Sequence, residues 1–147
     1  MRLFRRAIYV HAGVWFLAGV ALALFPRIAQ IVLGQPEYVE HAWVRLVGVQ
    51  AVGLSLLMVL VGHRAEELWW WGWAVALTTG AVAAVCTLNA AFGVPAGGGA
   101  AGWWGLAIVA WALGSLLLFG MQRAASERPP EAHPVAPARD PHPKRRR

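Results

Sequence analysis

The chain has 147 residues, 59% of them hydrophobic and 14% charged, with a formal net charge of +6 and a mean hydropathy of +0.52. A soluble domain averages about 45–50% apolar and about 25% charged residues, and surface-to-volume scaling keeps so small a domain from hiding this much apolar surface. The composition therefore excludes an ordinary water-soluble domain and makes lipid the expected solvent.

The chain opens on a basic arm, "MRLFRR", followed by the first apolar run, residues 7–25, "AIYVHAGVWFLAGVALALF". With "ALA" at Ala21–Ala23 this resembles a secretory signal peptide. His11 and Trp15 are unusual inside a signal's apolar region, so a retained first helix is expected. The connection that follows begins "PRIAQIVLG", where Ile28, Ile31 and Val32 stand beside Arg27 and Gln30. That mixture predicts a short amphipathic segment lying in the membrane interface. Pro36 separates it from "EYVEHA".

The second run, residues 43–62, reads "WVRLVGVQAVGLSLLMVLVG" and holds Arg45, the one formal charge within the apolar runs. The short break "HRAEE" leads to the third run, residues 68–92, "LWWWGWAVALTTGAVAAVCTLNAAF". A break this short predicts adjacent, antiparallel helices on its two sides. The glycine-rich "GVPAGGGAAG" precedes the fourth run, residues 103–121, "WWGLAIVAWALGSLLLFGM". Each run reaches the roughly 20 residues that cross about 30 Å of hydrocarbon as a helix. They lack alternation and exceed the about 9–11 residues of a barrel strand, and lipid demands internally satisfied backbones. The predicted fold is all-α: a four-transmembrane-helix antiparallel up-down bundle over residues 1–125. Residues 126–147, "SERPPEAHPVAPARDPHPKRRR", have no core-forming pattern and are expected to be a disordered basic tail.

Orientation follows from Lys and Arg near the span ends. Of the 13 such residues, only Arg27 and Arg45 fall on one side; the other 11 gather at the N-terminus, in "HRAEE" and in the tail. Both termini are therefore expected to be cytoplasmic, in a bacterial inner membrane. The basic termini would be drawn to anionic lipid. No base-contacting motif is present, so nucleic acid is not an expected partner.

Four of the nine tryptophans sit in "LWWWGW", residues 68–73. With Trp69 at zero on a helical wheel, Trp70 lies near 100°, Trp71 near 200° and Trp73 near 40°. No single pocket recruits all four, whereas a girdle at the headgroup level does. Trp43, Trp103 and Trp104 would form the matching girdle at the outer boundary. Trp15 and Trp111 fall well inside their helices, where packing or lipid contact is the plain expectation and a cofactor wall the sharper one.

Polar residues inside the spans are the usual place to look for function. Arg45 either snorkels to the interface or pairs with Glu37 or Glu40 to close the outer mouth of the bundle. Ala76, Gly80 and Ala84 form a small-xxx-small series suited to close helix packing. Thr78, Thr79 and Thr87 can bond to their own preceding carbonyls. His11 is the candidate cofactor residue: a hydrogen bond to another helix is its plain reading, and a quinone or haem contact the sharper one, with His63 as a conceivable second haem ligand. Cys86 stands alone, which leaves no disulfide, C-x-x-C pair or cysteine zinc site within one chain. No catalytic residue or metal site is predicted, because no hydrolase, phosphate-loop or dinucleotide motif appears.

The stretches "LALFPRIAQIVLG" and "RLVGVQAVGLSLLM" and the glycine-rich fourth run resemble small four-helix bacterial membrane proteins of the DoxX-like kind, over about residues 5–122. The resemblance implies a four-helix membrane fold and an association with quinone-linked or oxidative-stress complexes, and it carries over no active-site residue. The first functional expectation is a non-enzymatic subunit or scaffold of a membrane complex, partnered by itself or by another membrane protein. The alternatives are a redox-associated quinone- or haem-binding protein with His11 nearest the site, and an oligomeric transporter of small molecules or lipid.

Overall fold

A computed structural model describes residues 1–34, 40–93 and 99–127 of the chain. Among them there is helix and turn but no strand. Four helices are long and apolar enough to cross a membrane. They are α1 (Arg2–Leu24), α3 (His41–His63), α4 (Ala65–Gly93) and α5 (Ala101–Ser126), and α2 (Pro26–Val32) is a short helix between the first two. Each long helix runs past its apolar run at one end or both, because backbone hydrogen bonding continues into the flanking polar residues once the helix is nucleated.

The break between the first two helices has a plain cause. Pro26 occupies the first turn of α2, where its missing N–H costs nothing, and Phe25 before it leaves the helical region at φ −124°, ψ 52°. Helix α4 tightens into a 3₁₀ turn at Trp69–Trp71 and widens into a π turn over Asn89–Gly93. In α2, Gln30 turns inward while Ile28, Ile31 and Val32 are exposed.

Close approaches define which ends meet. Gly62 lies against Ile8 and Tyr9, while Gly48 lies against Gly19 and Ala23. Gly72 and Gly120 both border Phe4. Arg5 pairs with Glu66 at 3.8 Å, and the Met1 amino group with Glu127. One end of the molecule therefore gathers the start of α1, the α3–α4 turn and the end of α5; it is called the basic end below. At the opposite end Gly34, at φ +60°, lies beside Gly99, and Val32 beside Gly102.

The core is concentrated toward the basic end, around Phe4, Ile8, Met58, Leu117 and Met121, with Trp15, Leu68, Trp69 and Val75 packed partly buried against it. Helix α1 packs on both α3 and α5, and α5 packs on α4. Helices α3 and α4 share a turn but diverge beyond it, against the adjacency that the short break predicts. The reason is steric. Gly19 and Gly48 let the backbones of α1 and α3 touch, whereas Leu54, Leu57 and Leu60 of α3 stand toward Trp71 and Ala74 of α4 and leave a groove between them. Of the Ala76–Gly80–Ala84 series, Ala76 packs against the core and the other two positions do not. A side chain added at Gly80 would meet no atom within 4 Å, and Ala84 is exposed. The buried face of α4 runs instead through Gly72, Thr79, Ala83 and Cys86.

Candidate functional site

His11 is fully buried near the middle of α1, and its Nε2 lies 3.0 Å from Oγ1 of Thr79 at the middle of α4. The pair forms in either neutral tautomer: Nε2 accepts from the threonine hydroxyl, or Nε2–H donates to its oxygen. The Nδ1 atom is buried without a partner in hydrogen-bonding geometry. The other threonines behave as helical threonines do: Thr78 donates to the Ala74 carbonyl at 2.8 Å and Thr87 to that of Ala83 at 2.7 Å. Thr79 departs from that local habit. Its inward face and its level with His11 make it the partner, and the signal in the sequence was the need of a mid-span histidine for a polar neighbour at equal depth.

Beyond this pair, away from the basic end, the four long helices surround an apolar cavity of about 240 Å³. Trp15, Ala18 and Leu22 of α1 face Val47 and Ala51 of α3, Val82 and Cys86 of α4, and Val109 and Leu113 of α5, with Thr79 among the lining groups. Thr79 thus touches both His11 and the cavity. Protein interiors are close-packed, and a cavity of about 150 Å³ lined by aliphatic side chains already admits a benzene-sized molecule. This space accepts a hydrocarbon chain or a ring with at most one or two polar atoms. The Cys86 thiol is buried on its wall.

His63 is placed elsewhere. It is exposed and borders a polar hollow at the basic end with Arg5, Arg64, Glu66 and Glu67. The structure does not bring His11 and His63 together as an axial pair, since His11 is committed to Thr79 and His63 ends α3 beside Arg64. Among the described residues, no group of three or more His, Cys, Asp or Glu side chains converges. Among the described residues, His11 and His63 are thus held apart in separate surroundings, one buried against Thr79 and one exposed beside Arg64.

Of the residues considered for an outer mouth, Glu37 lies outside the described residues. Glu40 and Arg45 are both exposed at the start of α3 and form no ion pair with each other. Their separation follows from helix geometry: Gly48 and Ser55 carry the inward face of α3, and Arg45 points off it. Gln50 is exposed as well.

The tryptophans do not converge. Trp69 packs against the core, whereas Trp70, Trp71 and Trp73 are exposed around the start of α4, with the Trp70 and Trp71 rings 5.0 Å apart. Trp43 and Trp104 are exposed at the opposite end, and Trp103 beside them is half-buried with an unpaired indole N–H. Trp111 is exposed in mid-helix and donates from Nε1 to Thr87 Oγ1 at 3.3 Å.

No protein-family model, curated protein or solved structure matches this chain.

Proposed function

We propose that the chain is a non-enzymatic subunit or scaffold of a membrane complex. In this reading the four long helices form an up-down antiparallel bundle in a bacterial cytoplasmic membrane, with both termini on the cytoplasmic side. Helix α2 lies in the opposite interface, and the tryptophans at the two ends sit at the headgroup levels. The affinity with DoxX-like proteins is part of this proposal and rests on the stretches quoted above.

One observation carries it: every Arg and Glu side chain among the described residues is exposed, and the buried polar side chains are His11, Gln30, Ser55 and Thr79. His11 Nε2 and the Thr79 hydroxyl are paired with one another, and Ser55 donates to the Val52 carbonyl at 2.6 Å. General acid–base or nucleophilic chemistry needs a convergent set of such groups. What the molecule offers is apolar surface on every long helix, including Leu17, Leu56, Leu77 and Ile108.

A second reading is favoured by the cavity beside Thr79: a lipophilic ligand such as a quinone, whose carbonyl would take a hydrogen bond there. Native mass spectrometry of the protein in mild detergent separates the two. The subunit reading expects a defined assembly with itself or with another membrane protein. A strictly monomeric species with no companion protein overturns it, and a quinone mass held by the natural chain but lost from His11→Ala establishes the second reading.

A further inference from the structure

The groove between α3 and α4 is not an isolated defect of packing. It encloses about 360 Å³ between Leu54, Leu57 and Leu60 on one side and Trp71, Ala74 and Thr78 on the other. Its lining is apolar apart from the Thr78 hydroxyl, which is already committed to the Ala74 carbonyl. At the basic end, one helical turn from Leu60 and from Leu68 of the groove, lies Arg64 of the polar hollow of about 420 Å³ that Arg5, His63, Glu66 and Glu67 also border. The backbone links residues of the two. Arg64 donates its N–H to the Leu60 carbonyl, and Leu68 donates to the Arg64 carbonyl, so the turn holding the charges is flanked by groove residues.

The charges in the hollow are of both signs and already arranged in pairs, Arg64 with Glu67 at 2.6 Å and Arg5 with Glu66 at 3.8 Å. All four side chains are exposed. A guanidinium has five N–H donors and a carboxylate about four acceptor positions, so each pair keeps capacity for a further ligand. An anionic headgroup would meet two carboxylates there. A zwitterionic headgroup bearing a phosphate and a primary ammonium matches both signs.

We propose that the α3–α4 groove is a binding site for one aminophospholipid. An acyl chain lies along Leu57 and Ala74, the phosphate meets Arg64, and the ammonium donates to Glu67. Trp71, exposed on the groove wall, stands where an indole packs against the upper chain and glycerol region. The site rests on the membrane placement proposed above and not on the subunit reading.

The test uses the full chain extracted from a membrane fraction, so failure of membrane placement shows at extraction, before any lipid is measured. The protein is reconstituted in nanodiscs holding equal amounts of phosphatidylethanolamine and phosphatidylglycerol, released into mild detergent, and its retained lipid counted by native mass spectrometry. The natural chain should keep one phosphatidylethanolamine, preferred over phosphatidylglycerol by about tenfold, the scale of one charge-assisted hydrogen bond. Glu67→Gln should lose the preference while keeping the lipid. Arg64→Ala should lose both lipids about tenfold by the same reasoning. Ala74→Phe should block the groove without lowering helix content by circular dichroism. Equal retention of the two lipids by the natural chain, a preference for phosphatidylglycerol, a preference unchanged in Glu67→Gln, or retention unchanged in Ala74→Phe would each overturn the proposal.

Discussion

Replacing Gly48 by alanine destabilises the folded chain by about 1–3 kcal/mol, the cost of overpacking a contact that has nowhere to relax. A Cβ at Gly48 would stand 2.6 Å from the Ala23 nitrogen and 2.7 Å from the Gly19 carbonyl oxygen. Both are backbone atoms, so no rotamer change relieves the clash and α1 must move away from α3. That interface holds Ile8, Ala12, Met58 and Val61 together, and opening it loosens the main core. Gly80→Ala is the matched control. No atom lies within 4 Å of its added carbon, and alanine is the better helix former. Unfolding in mixed micelles, followed by helical circular dichroism, should show Gly48→Ala much less stable and Gly80→Ala unchanged or slightly more stable. Equal stability of the two variants would mean that α1 and α3 do not touch through these glycines.

The second large effect is expected at His11. Truncation to alanine removes a fully buried ring and leaves Thr79 facing a void that joins the neighbouring cavity, a loss of about 2–5 kcal/mol by analogy with large-to-small core changes. Thr79→Val keeps the shape and deletes only the hydroxyl. It strands Nε2 without a partner and should cost about 1–2 kcal/mol, since interhelical hydrogen bonds in membranes are weaker than intuition suggests. Combining the two changes separates packing from hydrogen bonding. The double variant should be less destabilised than the sum by about 0.6–1.7 kcal/mol, the range such cycles give for buried interhelical pairs. Strict additivity would show that the 3.0 Å contact contributes no coupling and that His11 acts through volume alone.

These two experiments address features of very different legibility. The four long apolar helices are readable because each run is near the length of a membrane span and nearly free of charge. The break at Pro26 is readable from proline chemistry alone. His11 stands out as a lone mid-span histidine. Its partner does not, because Thr78, Thr79 and Thr87 look alike in sequence and two of them satisfy themselves within their own helix. Arg45 attracts attention for the same reason as His11, yet it lies on an exposed face with no ion pair to Glu40. Charge marks a residue as costly in lipid; it does not say whether the helix turns that residue inward.

What the sequence determines by itself is therefore one-dimensional: apolar length, breaks, charge bias and the clustering of indoles at span ends. Which helices become neighbours was decided only in three dimensions. A short turn keeps α3 and α4 joined at one point, but backbone approach goes where glycine meets glycine, and Gly19 with Gly48 draws α3 onto α1 instead. In the Ala76–Gly80–Ala84 series Ala76 reaches the core but Gly80 and Ala84 do not, because a small face packs only if an opposing face meets it at the same depth. The cavity beside Thr79 and the α3–α4 groove follow from that choice of neighbours. Both arise where side chains of different helices face each other, a pairing that no local pattern along the chain encodes.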